Sequence, residues 1–368
     1  MEARFARCDA TSRRAVVVPA SQTGDRVTTT LDEKRMAEAM DLAASVRTST
    51  APNPWVGCLL VAADGSVFGG ATEPPGGRHA EIVALDAART AGGPDAARGA
   101  TVYVTLEPCA HTGRTGPCAA ALVAAGVGRV VVAVADPDPL VAGAGLAVLR
   151  DAGIAVEIGC LADDVTEQLA PYLWHRSTGR PWVVLKTAAT LDGRTAASDG
   201  SSQWITGEAA RTDAHRLRAE SQAIVVGRGT VVADDPSLTT RLVDGPDPRR
   251  VVLGAAPPGA RVHPCLEWSR DDGDLAALLD HLAAEGVVQV LVEGGATVAG
   301  EFHRAGLVDH YVAYLAPALV GGDDAPGLFA GSGAPSIADV WRGEIVAVTA
   351  VGEDIRVDLR PRHEEEVA

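Results

Sequence analysis

Aromatic side chains are scarce in this chain of 368 residues, at 4%. Stacked nucleobases need aromatic platforms, so a single-stranded nucleic acid is a poor candidate partner. Positive charge is also in deficit. Thirty-two Lys and Arg stand against 48 Asp and Glu, giving a formal net charge of −16. A field of that sign repels phosphate backbones and anionic lipid, which argues against nucleic acid and membrane alike. No apolar run approaches a membrane span. The longest early run, Ala15–Val18, is too short for the apolar region of a secretory signal. The six cysteines, Cys8, Cys58, Cys109, Cys118, Cys160 and Cys265, are too few for a disulfide framework in a chain of this length. A reducing cytoplasm is therefore the expected compartment. A dinucleotide fingerprint is missing as well. Gly227-Arg228-Gly229 lacks the third glycine, so a Rossmann cofactor site is not supported.

What is present is enough apolar matter, 47% of residues, for two packed domains. Residues 1–30 show little periodicity and read as a disordered or atypical extension, or as a product of an upstream start codon. The first helix is expected near Thr30, with Thr30 and Glu33 forming a capping-box pattern and Met36, Met40, Ala43 and Val46 on one face. Strands and helices then alternate. Val56–Ala63 and Ser66–Ala71 flank an Asp64-Gly65 turn, and His79–Thr90 reads as a helix. Ala100–Leu106 and Arg129–Ala135 read as strands around the short helix Pro117–Ala125. Gly145–Ala152 and Ile154–Ile158 add a helix and a strand. This is an α/β layer domain over 31–160. A connecting helix is expected over 161–180, ending at Gly179. A second α/β domain follows over 181–362, with strands at Trp182–Ala189, Ala223–Gly227, Arg250–Leu253, Val287–Glu293 and Val308–Leu315. Its helices are expected at Glu208–Ala219, Asp274–Glu285 and Thr297–Arg304. The charged tail 363–368 is expected to fray.

The strongest chemical signal is His79-Ala80-Glu81 with Pro108-Cys109 and Cys118 further on. One imidazole and two thiolates suit zinc, and three protein ligands leave a fourth position for water, the mark of a catalytic site. Such a metal brings the water's pKa toward neutrality. Deamination also needs a proton carrier. Glu81, two residues from His79 at a helix start, reaches the same water without ligating the metal. The two cysteines are separated by Ala110–Pro117, longer than the Pro-Cys-x-x-Cys form. That loop carries His111 and Arg114, which either meet a substrate or lie in solvent. Pro52-Asn53-Pro54 fixes an extended turn, where Asn53 either reads a ring amide edge or serves the turn.

Several stretches together resemble one family. They are Pro52-Asn53-Pro54-Trp55-Val56-Gly57, His79-Ala80-Glu81, Thr105–Cys118, Leu191-Asp192-Gly193-Arg194, Ser202-Gln203-Trp204-Ile205-Thr206, Ala233-Asp234-Asp235-Pro236 and Val292-Glu293-Gly294-Gly295. The family is that of the bifunctional deaminase–reductases of riboflavin biosynthesis, and the likeness covers roughly residues 33–360. The long loop between Cys109 and Cys118 is a feature of that family. The resemblance implies a cytidine-deaminase-like α/β/α domain followed by a dihydrofolate-reductase-like α/β domain. It implies one zinc per chain, NADPH, and a phosphorylated pyrimidine substrate. The first domain would hydrolyse the 2-amino group of 2,5-diamino-6-ribosylamino-4(3H)-pyrimidinone 5′-phosphate, and the second would reduce the ribosyl to a ribityl chain. A homo-oligomer is expected.

By the same resemblance, His79, Cys109 and Cys118 hold the metal, Glu81 is catalytic, and Asn53 and His111 meet the substrate. Cofactor contacts fall at Ala188, Trp204, Thr230, Asp234, Gly295, Ala296 and Thr297. Substrate contacts fall at Ser202, Arg218, Leu238, Arg241 and Glu293. Arg218 and Arg241 are suited to clamp a phosphate by charge-assisted bonds. Lys186 and Glu293 are expected to manage protons during ribose reduction. Two positions depart from the family. Gly254-Ala255 stands where an Asp-Ser pair is frequent near the cofactor, and Asp138 stands where Asn is usual. The alternative is a zinc deaminase of another nucleobase or nucleoside with a non-catalytic C-terminal domain.

Overall fold

A computed structural model describes residues 29–110, 116–139, 141–269 and 271–362. The expectations for 1–28, His111, Arg114 and the tail 363–368 lie outside these. Two separate sheets organise the chain. The first is built from α1 (Thr30–Ser45), β1 (Gly57–Val61), β2 (Val67–Ala71), α2 (Ala80–Gly92), β3 (Thr101–Leu106), α3 (Cys118–Ala124), β4 (Arg129–Val134), α4 (Ala144–Asp151) and β5 (Ala155–Ile158). Its strand order is β2-β1-β3-β4-β5. β1 runs antiparallel to β2 and β3, while β3, β4 and β5 are parallel. The Val-rich β4 is buried over its last five residues, as a central parallel strand between helix layers requires.

The second sheet follows α5 (Ala162–Gln168) and α6 (Ala170–Thr178). A single helix was the expectation for this stretch. The chain instead breaks at Leu169, with Pro171 in the first turn of α6, where its missing N–H costs nothing. β6 (Trp182–Thr190), α7 (Glu208–Glu220), β7 (Ala223–Gly227), α8 (Arg228–Asp234), β8 (Arg249–Leu253), β9 (Leu266–Trp268), α9 (Leu275–Ala284), β10 (Gln289–Val292), α10 (Ala296–Arg304), β11 (His310–Ala316), β12 (Gly343–Val351) and β13 (Asp354–Pro361) complete it. The order is β12-β13-β11-β6-β10-β7-β8-β9. The six strands from β11 to β9 are parallel, and the hairpin β12–β13 adds antiparallel to one side. Apolar clusters lie on both faces of this sheet.

The start of α1 differs from expectation by one residue. Thr29 is the N-cap, extended at φ −92°, and its hydroxyl accepts from the Asp32 N–H at 3.2 Å. The Asp32 carboxylate accepts in return from the Thr29 N–H at 3.0 Å. The box is thus Thr29/Asp32 and not Thr30/Glu33. Asp32 matters more than a surface cap because it is buried. Arg129 on β4 donates to both of its oxygens, at 2.7 and 3.1 Å, and the Tyr103 hydroxyl on β3 donates at 2.8 Å. The Arg129 guanidinium is the main reason the Asp32 carboxyl sits well below the usual carboxylate range. One side chain therefore fixes helix α1 to two strands.

A carboxyl whose pKa is depressed in the fold stabilises it above its unfolded value, near 4, and loses that contribution as acid is added. Asp32→Asn is expected to cost roughly 2–4 kcal/mol at neutral pH, because it leaves a partly buried guanidinium short of its partner. Denaturant titrations at pH 7 and pH 3.5 check this, and the gap between wild type and variant should narrow at the lower pH.

Candidate active sites

In the first sheet the antiparallel register Cys58↔Val104 sets the start of β1 beside the end of β3. β2 and β4 finish at the same edge, so four loops converge there. The turn carrying Asn53 is one of them, closed by its N–H to the Thr50 carbonyl at 2.9 Å. His79 arrives on another as the extended N-cap of α2, at φ −75° and ψ 159°. The seat of α2 depends on Gly70. A Cβ there would lie 2.1 Å from the Ala80 carbonyl oxygen and 2.6 Å from the Ala84 nitrogen. The end of β3 delivers Cys109, and Cys118 opens α3 behind Pro117.

These three side chains meet. His79 Nδ1 lies 3.6 Å from Cys109 Sγ and 3.3 Å from Cys118 Sγ, and the Cys118 N–H donates to Cys109 Sγ at 3.4 Å. The donor-to-donor edges of a tetrahedron around zinc are about 3.4–3.8 Å, so the cluster fits that ion with one corner open. The Cys118 side chain beside it lowers the pKa of Cys109, while Cys109 and burial raise that of Cys118, whose proton a bound cation would displace. Glu81 lies in the first turn of α2 at 4% exposure. Burial pushes its carboxyl up to about 7. A cation at the cluster would pull it back toward the ionised form.

One residue that sequence reading passed over organises this edge. Glu107 is buried one position before Pro108, and its carboxylate accepts four backbone N–H groups. They belong to Asp136 at 3.3 Å, Gly143 at 3.1 Å, Gly145 at 3.0 Å and Leu146 at 3.3 Å. The loop after β4 is thereby tied to the strand that carries Cys109. Gly145 makes this possible, since a Cβ there would sit 1.8 Å from the Pro108 carbonyl oxygen. Asp138, on the tied loop, lies 3.7 Å from Arg176. The only sequence signal for Glu107 was an acid where a strand ends beside a cysteine.

The second sheet carries two adjoining cavities at the carboxyl ends of its strands, of about 1230 and 700 Å³. Ser202, Thr230, Asp234, Gly295 and Ala296 line both. The smaller also takes Lys186, Ala188, Trp204, Arg218, Leu238, Arg241 and Glu293; the larger takes Thr297. Every reductase residue expected from the sequence thus faces one continuous space. Its centre is a salt bridge. Arg218 Nε and Nη2 donate to the two Glu293 oxygens at 2.7 and 2.8 Å, and its Nη1 donates to the Thr239 carbonyl at 3.2 Å. Burial raises the Glu293 carboxyl, but Arg218 overrides it and holds the pKa to about 2. Lys186 on β6 sits over the Tyr314 ring at 5.8 Å, and burial lowers its ammonium from the usual range. Arg241 has no carboxylate partner among the described residues. Trp204 is not a core residue: it is 66% exposed, with the Arg211 guanidinium 4.6 Å over its ring.

A dinucleotide fits this space. Gly295 caps α10 without a side-chain bond, so the first N–H groups of a nine-residue helix face the shared wall, a ready place for a pyrophosphate. The larger cavity runs on past Arg228, Gly254 and Trp268. Arg228 lies across Gly254 and donates from Nε to the Ala255 carbonyl at 3.1 Å. Among the described residues it has no carboxylate partner. A cation therefore stands where the sequence lacks the Asp-Ser pair.

Comparison with known proteins gives two family matches. Residues 29–134 match the cytidine and deoxycytidylate deaminase zinc-binding region, and 181–357 match the RibD C-terminal domain. The riboflavin biosynthesis protein RibD of Mycobacterium tuberculosis is 45% identical over 352 residues, covering 89% of this chain and 98% of that protein. Its Escherichia coli counterpart is 39% identical over 369 residues, covering 89% and 99%. The solved structure of Acinetobacter baumannii RibD superposes with a TM-score of 0.82 at 40% identity, covering 90% of this chain and 99% of that one. A diaminohydroxyphosphoribosylaminopyrimidine deaminase/5-amino-6-(5-phosphoribosylamino)uracil reductase from Thermotoga maritima gives 0.84 at 31% identity, with the same coverage.

Proposed function

Because the chain belongs to the RibD family of riboflavin biosynthesis proteins, we propose a division of its two reactions between named residues of the two sheets. The enzyme deaminates 2,5-diamino-6-ribosylamino-4(3H)-pyrimidinone 5′-phosphate and then reduces the ribosyl group with NADPH to give 5-amino-6-(5-phosphoribitylamino)uracil. The deaminase unit is assigned to 31–160, the reductase unit to 181–362, and the joining segment to 161–180.

His79, Cys109 and Cys118 are the proposed zinc ligands, and the observation that carries this is that the two sulfurs lie 3.6 and 3.3 Å from His79 Nδ1, with all three donor atoms within 4.8 Å of one another. Zinc, when bound, makes a water acidic enough to give up its proton near neutrality. Glu81 takes that proton to the ring nitrogen as the hydroxyl adds to the carbon, then carries the hydroxyl's own proton to the amine as the C–N bond breaks, leaving a carbonyl and ammonia. Asn53 and His111 orient the pyrimidine. Glu107 acts through the loop it ties down.

In the reductase unit NADPH, when bound, supplies a hydride. Its contacts are assigned to Ala188, Trp204, Thr230, Asp234 and the Gly295-Ala296-Thr297 turn. Ser202, Leu238, Arg241 and Glu293 take the substrate. Arg241, free of any carboxylate partner among the described residues, is the main phosphate clamp, because Arg218 is engaged with Glu293. A carboxylate held near pKa 2 is a poor base. Glu293 therefore acts by charge and position, and Lys186 is the group that donates a proton to the opening ribose. Arg228 meets the cofactor's 2′-phosphate in place of the missing Asp-Ser pair.

The apolar residues Ile345, Val346 and Val348 are exposed on β12, the outermost strand of its sheet. An uncovered edge of that kind invites pairing, and a second copy of the chain is the proposed occupant. Light scattering at micromolar concentration should give a mass at least twice that of one chain, and Val348→Lys should lower it. The cytoplasm is the proposed compartment: no described helix is long and apolar enough to cross a membrane, and the five described cysteines are free thiols.

Glu81→Gln is expected to slow ammonia release by at least about 10²–10⁴-fold while zinc stays bound and NADPH oxidation on pre-deaminated substrate is unchanged. Near-normal ammonia release would remove Glu81 from the mechanism. On that same pre-deaminated substrate, Lys186→Ala should slow hydride transfer at saturating cofactor. Arg228→Ala should spare that rate and instead weaken NADPH binding by roughly 10–100-fold with NADH binding unmoved, the worth of a charge-assisted phosphate contact. Fluorescence titration of the two cofactors distinguishes these roles.

A further inference from the structure

Among the described residues a second group of metal-type donors converges, at His263, Cys265 and Glu267. It lies on the far edge of the reductase sheet, where β9 pairs only with β8. Glu267 lies in β9, and His263 and Cys265 stand on the segment that leads into it. Their donor atoms all fall within 4.8 Å of one another, and Cys265 Sγ is 3.5 Å from His263 Nδ1. That separation matches a tetrahedral edge around zinc, about 3.4–3.8 Å.

The surroundings prepare these donors. His263 Nε2 lies 3.2 Å from the Pro257 carbonyl oxygen, which can only accept. The ring proton therefore sits on Nε2, and the lone pair of Nδ1 points to the sulfur. An outer carbonyl that fixes the imidazole tautomer is the usual support of a metal-bound histidine. Glu267 is anchored in the same way. One of its oxygens accepts the Ala256 N–H at 3.0 Å, and the other remains for a ligand. A neutral imidazole, a thiolate and a carboxylate together carry two negative charges, matched to a divalent ion.

We infer that His263, Cys265 and Glu267 form a second binding site for a divalent ion of the zinc class, separate from the deaminase centre. The ion would be held by one nitrogen, one sulfur and one oxygen, with the fourth corner open to water. It would join β9 to the 256–257 stretch, whose carbonyl and N–H already hold two of the ligands. Mixed sets of this kind favour zinc or cobalt over magnesium and calcium, which take oxygen donors.

Metal analysis of the full-length protein, equilibrated with micromolar zinc and desalted, tests this. Wild type should hold two equivalents per chain, Cys265→Ser and His263→Ala one each, and both variants should release ammonia at the wild-type rate. The Cys109→Ser/Cys118→Ser chain titrated with cobalt(II) should still develop a thiolate-to-cobalt absorption band, and the same chain with Cys265→Ser added should not. A single equivalent in wild type, or a cobalt band that survives when Cys265→Ser is added, would overturn the assignment. Loss of zinc from the deaminase centre alone would show as lost ammonia release in wild type, which keeps the two sites distinguishable.

Discussion

The meeting of one imidazole and two sulfurs depends on a carboxylate that touches none of them. Glu107 collects four backbone N–H groups from 136–146 and so holds the loop after β4 against the strand end that delivers Cys109. A buried carboxylate is costly unless its oxygens are satisfied, and here four donors satisfy it. The same contact admits no side chain at position 145. Metal ligands placed on three different elements would otherwise be free to drift by more than a tetrahedral site tolerates.

The reductase half uses charge differently. Its central pair, Arg218 with Glu293, is satisfied within the protein and so stiffens the floor of the cavity. Further cations, Lys186, Arg241 and Arg228 among them, line the same cavities at separate stations. In a chain of net charge −16 they form a local region of opposite sign. Anionic ligands are drawn to that region and repelled by most of the remaining surface.

The deaminase centre was legible because its chemistry is local in type: His and Cys are scarce in this chain, and their order with Glu81 follows the zinc-deaminase pattern. The two sheets were legible from apolar runs such as β4 and β7. Other features were hidden for physical reasons. Adjacent Thr29 and Thr30 both sit near an acid, and only the extended backbone at Thr29 decides which hydroxyl caps the helix. The break at Leu169 was masked by helix-forming neighbours on both sides. The β12–β13 hairpin escaped because its apolar residues face outward on one strand, so no buried stripe announced it. Glu107 and Arg228 acquire their partners from residues far along the chain, which no local pattern encodes. The reductase residues were reached by resemblance, since arginines and a tryptophan taken singly carry no signature.

The two halves are also fastened directly. Arg47, packed 3.5 Å over the Trp55 ring, reaches across to donate to the Gln289 side chain at 2.6 Å, while Arg360 ties the reductase half to Glu167 of the joining segment. Gln289 is the first residue of β10, the strand whose far end leads into Glu293. A reductase half produced by itself would begin that strand with the Gln289 amide oxygen short of its Arg47 donor and lose a brace supplied by its neighbour. Fusion in one polypeptide is thus more than a convenience of co-expression: the older half of the translation product serves as scaffolding for the younger.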